Sequence, residues 1–313
     1  MNGRPIVIAV ASGKGGTGKT TIASSLALAV SPASTTFLDC DVEAPNAHFF
    51  LEPTFSRHEE VGLLIPQVDE ERCTACGRCA EVCQYHAIVV LAGKVLVFPE
   101  LCHGCGSCTL NCPEDAIKEV PDVLGVLEGG RTASGINFAR GVLNVGEPMA
   151  VPVIRQLKAW QPVQDGEVVI QDVPPGTSCP VVESIRGADF VVLVTEPTPF
   201  GLHDLRLAAQ LVRELELPAG VIVNRDGIGD RQVDDYCREA GLPIMMRIPM
   251  DRRIAEALAQ GHLLVEAFPE YLPRFQDLYA QIRLLVEAGT GSELQTQSTR
   301  SKMGSLQGIR GTE

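Results

Sequence analysis

Short apolar runs rich in β-branched residues recur along the chain, and stretches of helical periodicity separate them. Runs of this length and composition are typical of buried parallel strands. They are IVIAVA (6–11), TTFLDCD (35–41), EVVIQD (167–172), FVVLVTE (190–196) and AGVIVNR (219–225). Helices are predicted between them, for example over 18–30 and 203–215. This alternation predicts an α/β fold, a doubly wound and mostly parallel sheet with its ligand at the carboxyl ends of the strands.

The C-terminal part of the chain changes character at Gly289. Before it, apolar side chains are spaced for one face of a helix: Phe275, Leu278, Ile282 and Leu285. This spacing predicts a helix packed on the core, and a helix lying on a membrane is the alternative. Residues 289–313 are rich in Gly, Ser, Thr and Gln without periodicity, which predicts a disordered tail. No apolar run approaches the roughly 20 residues that cross a bilayer.

Composition and charge narrow the choice of partners and compartment. The 313 residues include 26 Lys and Arg against 39 Asp and Glu, a formal charge of −13. Such a chain repels phosphate backbones and anionic lipid, so neither nucleic acid nor a membrane surface is expected as a partner. Eight of the 11 cysteines stand at C-x2-C-x2-C-x3-C spacing, typical of cluster ligands rather than disulfides. A reducing cytoplasm is therefore the expected location.

A glycine-rich loop follows the first predicted strand. GKGGTGKT (13–20) matches G-x4-G-K-[ST], in which backbone N–H groups turn toward phosphate oxygens at the start of a helix. Lys19 is predicted to reach the β- and γ-phosphates, and the Thr20 hydroxyl to ligate Mg²⁺. ATP or ADP with Mg²⁺ are the expected ligands. The predicted phosphate-binding residues are Gly13, Gly15, Gly16, Thr17, Gly18, Lys19, Thr20 and Thr21.

The early Lys14 makes this loop resemble the deviant phosphate loop of the MinD/Mrp and nitrogenase iron protein superfamily of P-loop ATPases. Further stretches match in family order: DCDVEAPN (39–46) as the first switch, QDVPPGTSCP (171–180) as the second, then VTEPTPFGLHDL (194–205) and IPMDRRIAEA (248–257). The resemblance covers 5–288 apart from a cysteine-rich segment. It implies a nucleotide-dependent homodimer, or a heterodimer with a paralogue, in which Lys14 reaches the partner's nucleotide.

Aspartates at strand ends are candidates for ATP hydrolysis. The reaction requires a water held in line with the γ-phosphoryl, and Asp41 is assigned to orient or activate it. Asp39 and Asp172 are assigned to Mg²⁺, although a strand-end Asp can instead cap a loop. An Asn amide offers the donor and acceptor that match the N6/N7 edge of adenine. The resemblance implies three residues beside the base: Asn224, Pro249 and Asp251.

Two cysteine runs, CTACGRCAEVC (73–83) and CHGCGSCTLNC (102–112), form an internal repeat. The repeat resembles a bacterial two-cluster ferredoxin, which implies two 4Fe–4S clusters with crossed ligation. The implied ligands are Cys73, Cys76, Cys79 and Cys112 for one cluster, and Cys102, Cys105, Cys108 and Cys83 for the other. Zinc is the alternative, although zinc sites typically use paired C-x2-C units. Gln84 departs from the pattern, which has proline after the last cysteine, as at Pro113.

Three cysteines fall outside the repeat. Cys40 is expected to face the core, and Cys237 to act as a small apolar residue in a helix. Cys179 lies seven residues after Asp172, the offset at which the nitrogenase iron protein places a cluster cysteine. Because a dimer would present only two such thiolates, a metal role for Cys179 is kept as the less favoured alternative.

These patterns predict a discontinuous ATPase domain, 1–66 and 119–288, with a small α+β ferredoxin domain inserted at 67–118. The leading function is an ATP-hydrolysing iron–sulfur protein with a nucleotide-switched dimer. It would assemble or deliver metal clusters to an acceptor protein, or gate electrons to a redox partner. The alternative is a MinD-like positioning or scaffold ATPase whose clusters are structural or redox-sensing. Since the insert follows the first switch closely, we expect that switch to move it; a passive surface insertion is the other possibility.

Overall fold

The computed structural model of the chain describes residues 4–160 and 168–306. Its strands are β1 (Ile6–Ala11), β2 (Thr35–Asp39), β3 (Thr54–Val68), β4 (Ile88–Leu91), β5 (Lys94–Val97), β6 (Ile117–Arg131), β7 (Asn137–Leu143), β8 (Val168–Asp172), β9 (Phe190–Thr195), β10 (Ala219–Asp226) and β11 (Ile244–Pro249). Its helices are α1 (Lys19–Ala29), α2 (His48–Leu51), α3 (Arg78–Val82), α4 (Ser107–Leu110), α5 (Ala150–Trp160), α6 (Cys179–Ile185), α7 (Pro199–Glu214), α8 (Gln232–Ala240), α9 (Arg252–Ala259), α10 (Leu264–Ala267) and α11 (Tyr271–Leu306).

The main sheet has the order β11-β10-β9-β1-β8-β2-β7-β6-β3. Its strands from β11 to β7 are parallel, and β6 and β3 add an antiparallel pair at one edge. Side chains of β1 alternate between two cores, as the period of a strand requires. Ile8 faces a core built with α1 and α11, whereas Ala9 faces one built with α6, α7 and α8. The predicted doubly wound, mostly parallel fold is confirmed.

The antiparallel pair β3–β6 was not predicted. We call this pair of strands the arm. It runs from the pair Thr54–Arg131 at its base to Val68–Ile117 at its end. Only the base half of β6 also pairs with β7, so the outer half projects beyond the sheet. The register of the arm shifts between Val61 and Gly62, which is a β-bulge.

Residues 69–116 lie beyond the end of the arm and carry both cysteine runs. They contain the short helices α3 and α4 and the two-stranded antiparallel sheet β4–β5. Each helix is preceded by a glycine with a left-handed backbone: φ is +86° at Gly77 and +71° at Gly106. Ile88 and Ile117 pack with Cys79 in a small core of their own. The predicted insert, 67–118, thus begins and ends on paired residues of the arm.

Helix α11 packs on the core through Phe275, Leu278 and Ile282. The expected fourth member, Leu285, is 44% exposed, and Val286 is buried instead. The helical backbone continues to Leu306, which differs from the disordered tail predicted for 289–313; residues 307–313 lie outside the described part. Extending a packed helix adds one hydrogen bond per residue, and this segment has no proline to end it. Within the described residues, no helix is long and apolar enough to cross a membrane.

Candidate nucleotide and cluster sites

The loop between β1 and α1 has the geometry of a phosphate-binding loop. Gly16 and Gly18 have φ values of +78° and +93°, which only glycine adopts at low cost. A Cβ at Gly18 would stand 2.5 Å from Nδ2 of Asn224, and one at Gly13 would stand 2.2 Å from the carbonyl oxygen of Asp204. The loop glycines are therefore required by the backbone turn and by close packing.

A cleft of about 600 Å³ opens beside this loop, a size suited to a small ligand such as a nucleotide. Its lining includes ten of the predicted residues: Gly15, Gly16, Gly18, Lys19, Thr20, Thr21, Asp41, Asn224, Pro249 and Asp251. Apolar side chains line the cleft as well, among them Phe50, Met250 and Leu258, and they suit the faces of a base. The predicted residues outside the lining are Gly13, Lys14, Thr17, Asp39 and Asp172.

Thr20 and Asp172 meet behind the loop. The Thr20 hydroxyl donates to Oδ2 of Asp172 at 2.6 Å. Asp172 is buried, and its Oδ1 has no hydrogen-bond partner among the described residues. Burial raises the pKa of Asp172, and the positive charge of Lys19 and the Thr20 hydrogen bond oppose that shift. An unpaired buried carboxylate oxygen beside a hydroxyl fits Mg²⁺, which binds oxygen ligands.

Asp39 holds the first-switch segment. Its Oδ2 accepts from the backbone N–H of Ala47 at 3.0 Å, and its Oδ1 from that of Asp41 at 3.3 Å. Burial, followed by the neighbouring Asp172 charge, raises the pKa of Asp39. These two hydrogen bonds support the alternative in which Asp39 caps a loop. Burial also raises the pKa of Asp41, against the charge of Lys19, but Asp41 lines the cleft.

Asn224 is already engaged with its own chain. Its Nδ2 donates to the carbonyl oxygen of Thr17 at 2.8 Å, and its Oδ1 accepts from the backbone N–H of Arg225 at 2.9 Å. An Asn amide has two N–H donors and two lone pairs. One donor and one lone pair are left for the predicted contact with a base, and Asn224 also shapes the loop.

Lys14 forms its ion pair within its own chain. Its Nζ forms an ion pair with Oε1 of Glu196, and Oε2 of Glu196 accepts from Arg225 at 3.0 Å. Arg225 also donates to the carbonyl oxygen of Gly16 at 3.2 Å. Glu196 and Arg225 were not predicted as site residues. Their position at the carboxyl ends of β9 and β10, where ligands of such sheets bind, is the signal that points to them.

Two cavities in the insert are lined by cysteines. One contains Cys73, Cys76, Cys79 and Cys112, and the other contains Cys83, Cys102, Cys105 and Cys108. Each cavity therefore combines three cysteines of one run with the last cysteine of the other, the grouping that crossed ligation requires. Among the described residues, no three His, Cys, Asp or Glu side chains are placed to hold a single metal ion.

Backbone donors point at two of these sulfurs. The N–H of Ala87 donates to Sγ of Cys83, and the N–H of Ala116 donates to Sγ of Cys112, each at 3.3 Å. Hydrogen bonds of this kind tune the potential of a bound cluster. The four sulfurs and the N–H donor at each cavity are the kinds of group that bind a 4Fe–4S cluster. Cys179 is exposed and lies outside both cavities, as do the buried Cys40 and Cys237.

A glycine-rich phosphate loop between the first strand and first helix of a doubly wound sheet defines a P-loop nucleotide-binding protein. The model of the CobQ/CobB/MinD/ParA nucleotide binding domain matches residues 8–265, and the chain belongs to this family. It is 30% identical over 269 residues to an uncharacterised protein of Methanocaldococcus jannaschii, covering 85% of this chain and 92% of that protein.

Two further proteins are similar to this chain. An iron–sulfur cluster carrier protein of Aquifex aeolicus is 24% identical over 281 residues, covering 84% of this chain and 63% of the carrier. The septum site-determining protein MinD of Pyrococcus horikoshii, solved with Mg-ADP, superposes with a TM-score of 0.53 at 18% identity. This superposition covers 89% of this chain and 96% of MinD. The structural likeness establishes a MinD-like fold.

Proposed function

We propose that this chain is an ATP-hydrolysing iron–sulfur protein in which a nucleotide switch acts on a two-cluster, ferredoxin-like insert. The observation that carries the proposal is the division of eight cysteines between two cavities, each completed by the last cysteine of the other run. The ATPase body would form a nucleotide-dependent dimer. The insert would transfer electrons to a redox partner, or pass clusters to an acceptor protein.

In the nucleotide site, the loop backbone and Lys19 bind the phosphates. Thr20 and Asp172 would hold Mg²⁺, which would neutralise charge on the phosphate oxygens. Asp41 lines the same cleft and orients the attacking water. The apolar side chains around Met250 cover the base and exclude water from it.

In the insert, the cysteines of each cavity would bind a cluster that supplies one-electron transfer. The arm connects this insert to the part of the sheet beside the first switch, where the N–H of Leu143, the partner of Gly125 in the arm, donates to the carbonyl oxygen of Val42 at 2.8 Å. Its base at Thr54 follows α2, which ends at Leu51, and β6 is joined through β7 to β2, which ends at Asp39. The 24% identity to an iron–sulfur cluster carrier protein supports a role in the assembly or delivery of clusters.

The test begins with protein purified without oxygen. We expect about eight irons and eight sulfides per chain, together with Mg²⁺-dependent ATP hydrolysis. Cys105→Ser should lose about half of the iron. The matched control is Cys179→Ser, because Cys179 is also exposed but lies outside both cavities. Stoichiometric zinc without iron, or full iron in Cys105→Ser, would overturn the cluster assignment.

The two uses of the clusters are separated by a second measurement. ATP-dependent oxidation or reduction of clusters that stay bound indicates electron transfer. ATP-dependent appearance of a cluster in an added apo-ferredoxin indicates delivery. If the clusters do neither while ATP controls binding of a partner protein, the scaffold function is correct instead.

A further inference from the structure

The two cysteine cavities stand at different places along the arm. The cavity of Cys83, Cys102, Cys105 and Cys108, here the inner cavity, is lined by Leu64, Pro66 and Glu119 of the arm. The outer cavity, with the remaining four cysteines of the repeat, meets the arm only at its end pair, Val68 and Ile117. A Cβ on Gly104 would stand 3.1 Å from the carbonyl oxygen of Leu64, so the inner loop packs directly on the arm.

The base of the arm rests on helix α5. Fully buried side chains of α5 pack with apolar side chains of the arm in one core: Val153, Ile154 and Leu157 with Val61, Leu124 and Leu127. Nε2 of Gln156 donates to the carbonyl oxygen of Gly62 at 2.8 Å, where the register of the arm shifts. The arm is therefore held by α5 at the bulge from which its outer half projects.

The same helix holds α6, which follows the second-switch segment. Nζ of Lys158 donates to the carbonyl oxygens of Glu183, Ser184 and Arg186 at 2.7, 3.0 and 2.7 Å. These carbonyls belong to the last turn of α6 and the residue after it, where a cation is favourable. Within the second-switch segment, the N–H of Gly176 donates to the carbonyl oxygen of Ser12, next to the phosphate loop.

We propose that α5 couples the nucleotide site to the insert, and that the cluster of the inner cavity is the one that responds to ATP. The inference rests on the proposed function. γ-Phosphate contacts reorder switch segments of such proteins. Through the hydrogen bonds of Lys158, a displacement of α6 moves α5. Through the hydrogen bond of Gln156, the displacement of α5 moves the bulge of the arm. Lys158 and Gln156 are both positioning residues. The shift would move Glu119 relative to the cysteines of the inner cavity, and the potential of a cluster held by them would change with it.

The experiment titrates both clusters of the full-length protein by electron paramagnetic resonance. Potentials are measured without nucleotide, with ADP and with a non-hydrolysable ATP analogue. Cys76→Ser and Cys105→Ser assign each signal to a cavity. We expect the inner cluster to shift with the analogue and the outer cluster to stay unchanged. By linkage, a tenfold tighter analogue affinity in the reduced protein equals a shift of about 59 mV for one electron.

The double variant Gln156→Ala with Lys158→Met tests the route. It should keep cluster content, nucleotide-free potentials and analogue binding, yet lose most of the nucleotide-induced shift. The matched control is Gln210→Ala, which removes an exposed helix glutamine whose partner is Glu214. Hydrogen–deuterium exchange of the arm supplies a readout that needs no cluster signal. It should change on analogue binding in the wild type and not in the double variant.

Three results would overturn the inference: equal shifts of both clusters, a shift of the outer cluster alone, or a double variant that retains the wild-type shift. A wild type without any shift would also refute it, while leaving an iron–sulfur ATPase in place. Protein without iron, by contrast, would remove the proposed function itself. In that case the exchange measurement still decides whether α5 links the nucleotide site to the arm.

Discussion

At the scale of single residues, the two lysines of the phosphate loop have different surroundings. Lys19 is 7% exposed and lines the cleft, whereas Lys14 is paired with Glu196 outside it. Removing one partner of a buried charge pair costs about 2–5 kcal/mol, so Lys19→Ala should weaken ADP binding by roughly 30-fold or more. Titration calorimetry measures this. Lys14→Ala is the matched control and should bind ADP almost as the wild type does; equal losses in both variants would contradict the assignment.

The two aspartates of the first switch should also differ in their roles, Asp39 in stability and Asp41 in ATP hydrolysis. Asp39→Ala leaves the buried N–H of Ala47 and the partly buried N–H of Asp41 without their acceptor. Each such group costs about 1–3 kcal/mol, so the variant should unfold at a clearly lower temperature. Asp41→Asn should keep stability and nucleotide affinity but hydrolyse ATP far more slowly. Thermal unfolding and phosphate release measure the two effects, and an Asp39→Ala variant of normal stability would rule out the capping role.

The phosphate loop could be predicted from the sequence because its glycines and Lys19 lie within eight consecutive residues. Most of these eight residues line the cleft. The sequence did not predict which side chains surround Lys14. Glu196 lies 182 positions away along the chain, and nothing local marks it as the partner of a lysine. The contact exists because parallel strands end at the same edge of the sheet, which is a property of the fold.

At the scale of elements, the cysteine repeat was predictable and the arm was not. Regular spacing of cysteines indicates a cluster site without any knowledge of the fold. The first seven residues of β3 are all exposed, so the stretch has no alternation of buried and exposed positions to mark it as a strand. Its pairing with β6 joins residues 49 to 77 positions apart, with the insert between them along the chain.

The crossed cavities lead to a prediction about single ligands. Cys83 is the last cysteine of the first run but lines the cavity of the second, so Cys83→Ser should alter the cluster held by Cys102, Cys105 and Cys108. Cys112→Ser should alter the other cluster. Resonance spectra of the two reduced variants, prepared without oxygen, distinguish these outcomes. If Cys83→Ser changes the signal that Cys76→Ser also changes, each run binds its own cluster and the crossed ligation is wrong.

At the scale of the whole molecule, the ion pair of Lys14 bears on assembly. Glu196 is nearly buried, and its ion pairs with Lys14 and Arg225 hold its pKa below the ordinary value although burial opposes this. Glu196 is therefore ionised at neutral pH and holds Lys14 in an ion pair within its own chain. If Lys14 acts on a partner's nucleotide, this ion pair has to break as the dimer forms. In that case the pair would oppose association until ATP is bound.

This restraint predicts opposite effects for two substitutions. Glu196→Gln weakens the hold on Lys14, so the ATP-bound dimer should form at several-fold lower protein concentration than in the wild type. Lys14→Ala should remain monomeric with ATP and should not hydrolyse it, although it binds nucleotide. Sedimentation velocity with ATP, ADP and no nucleotide measures association, and Glu214→Gln serves as a control at an exposed acid of α7. A Lys14→Ala variant that dimerises and turns over normally would exclude the action across the interface. A Glu196→Gln variant that dimerises less readily than the wild type would show that Glu196 supports the dimer rather than restraining the lysine.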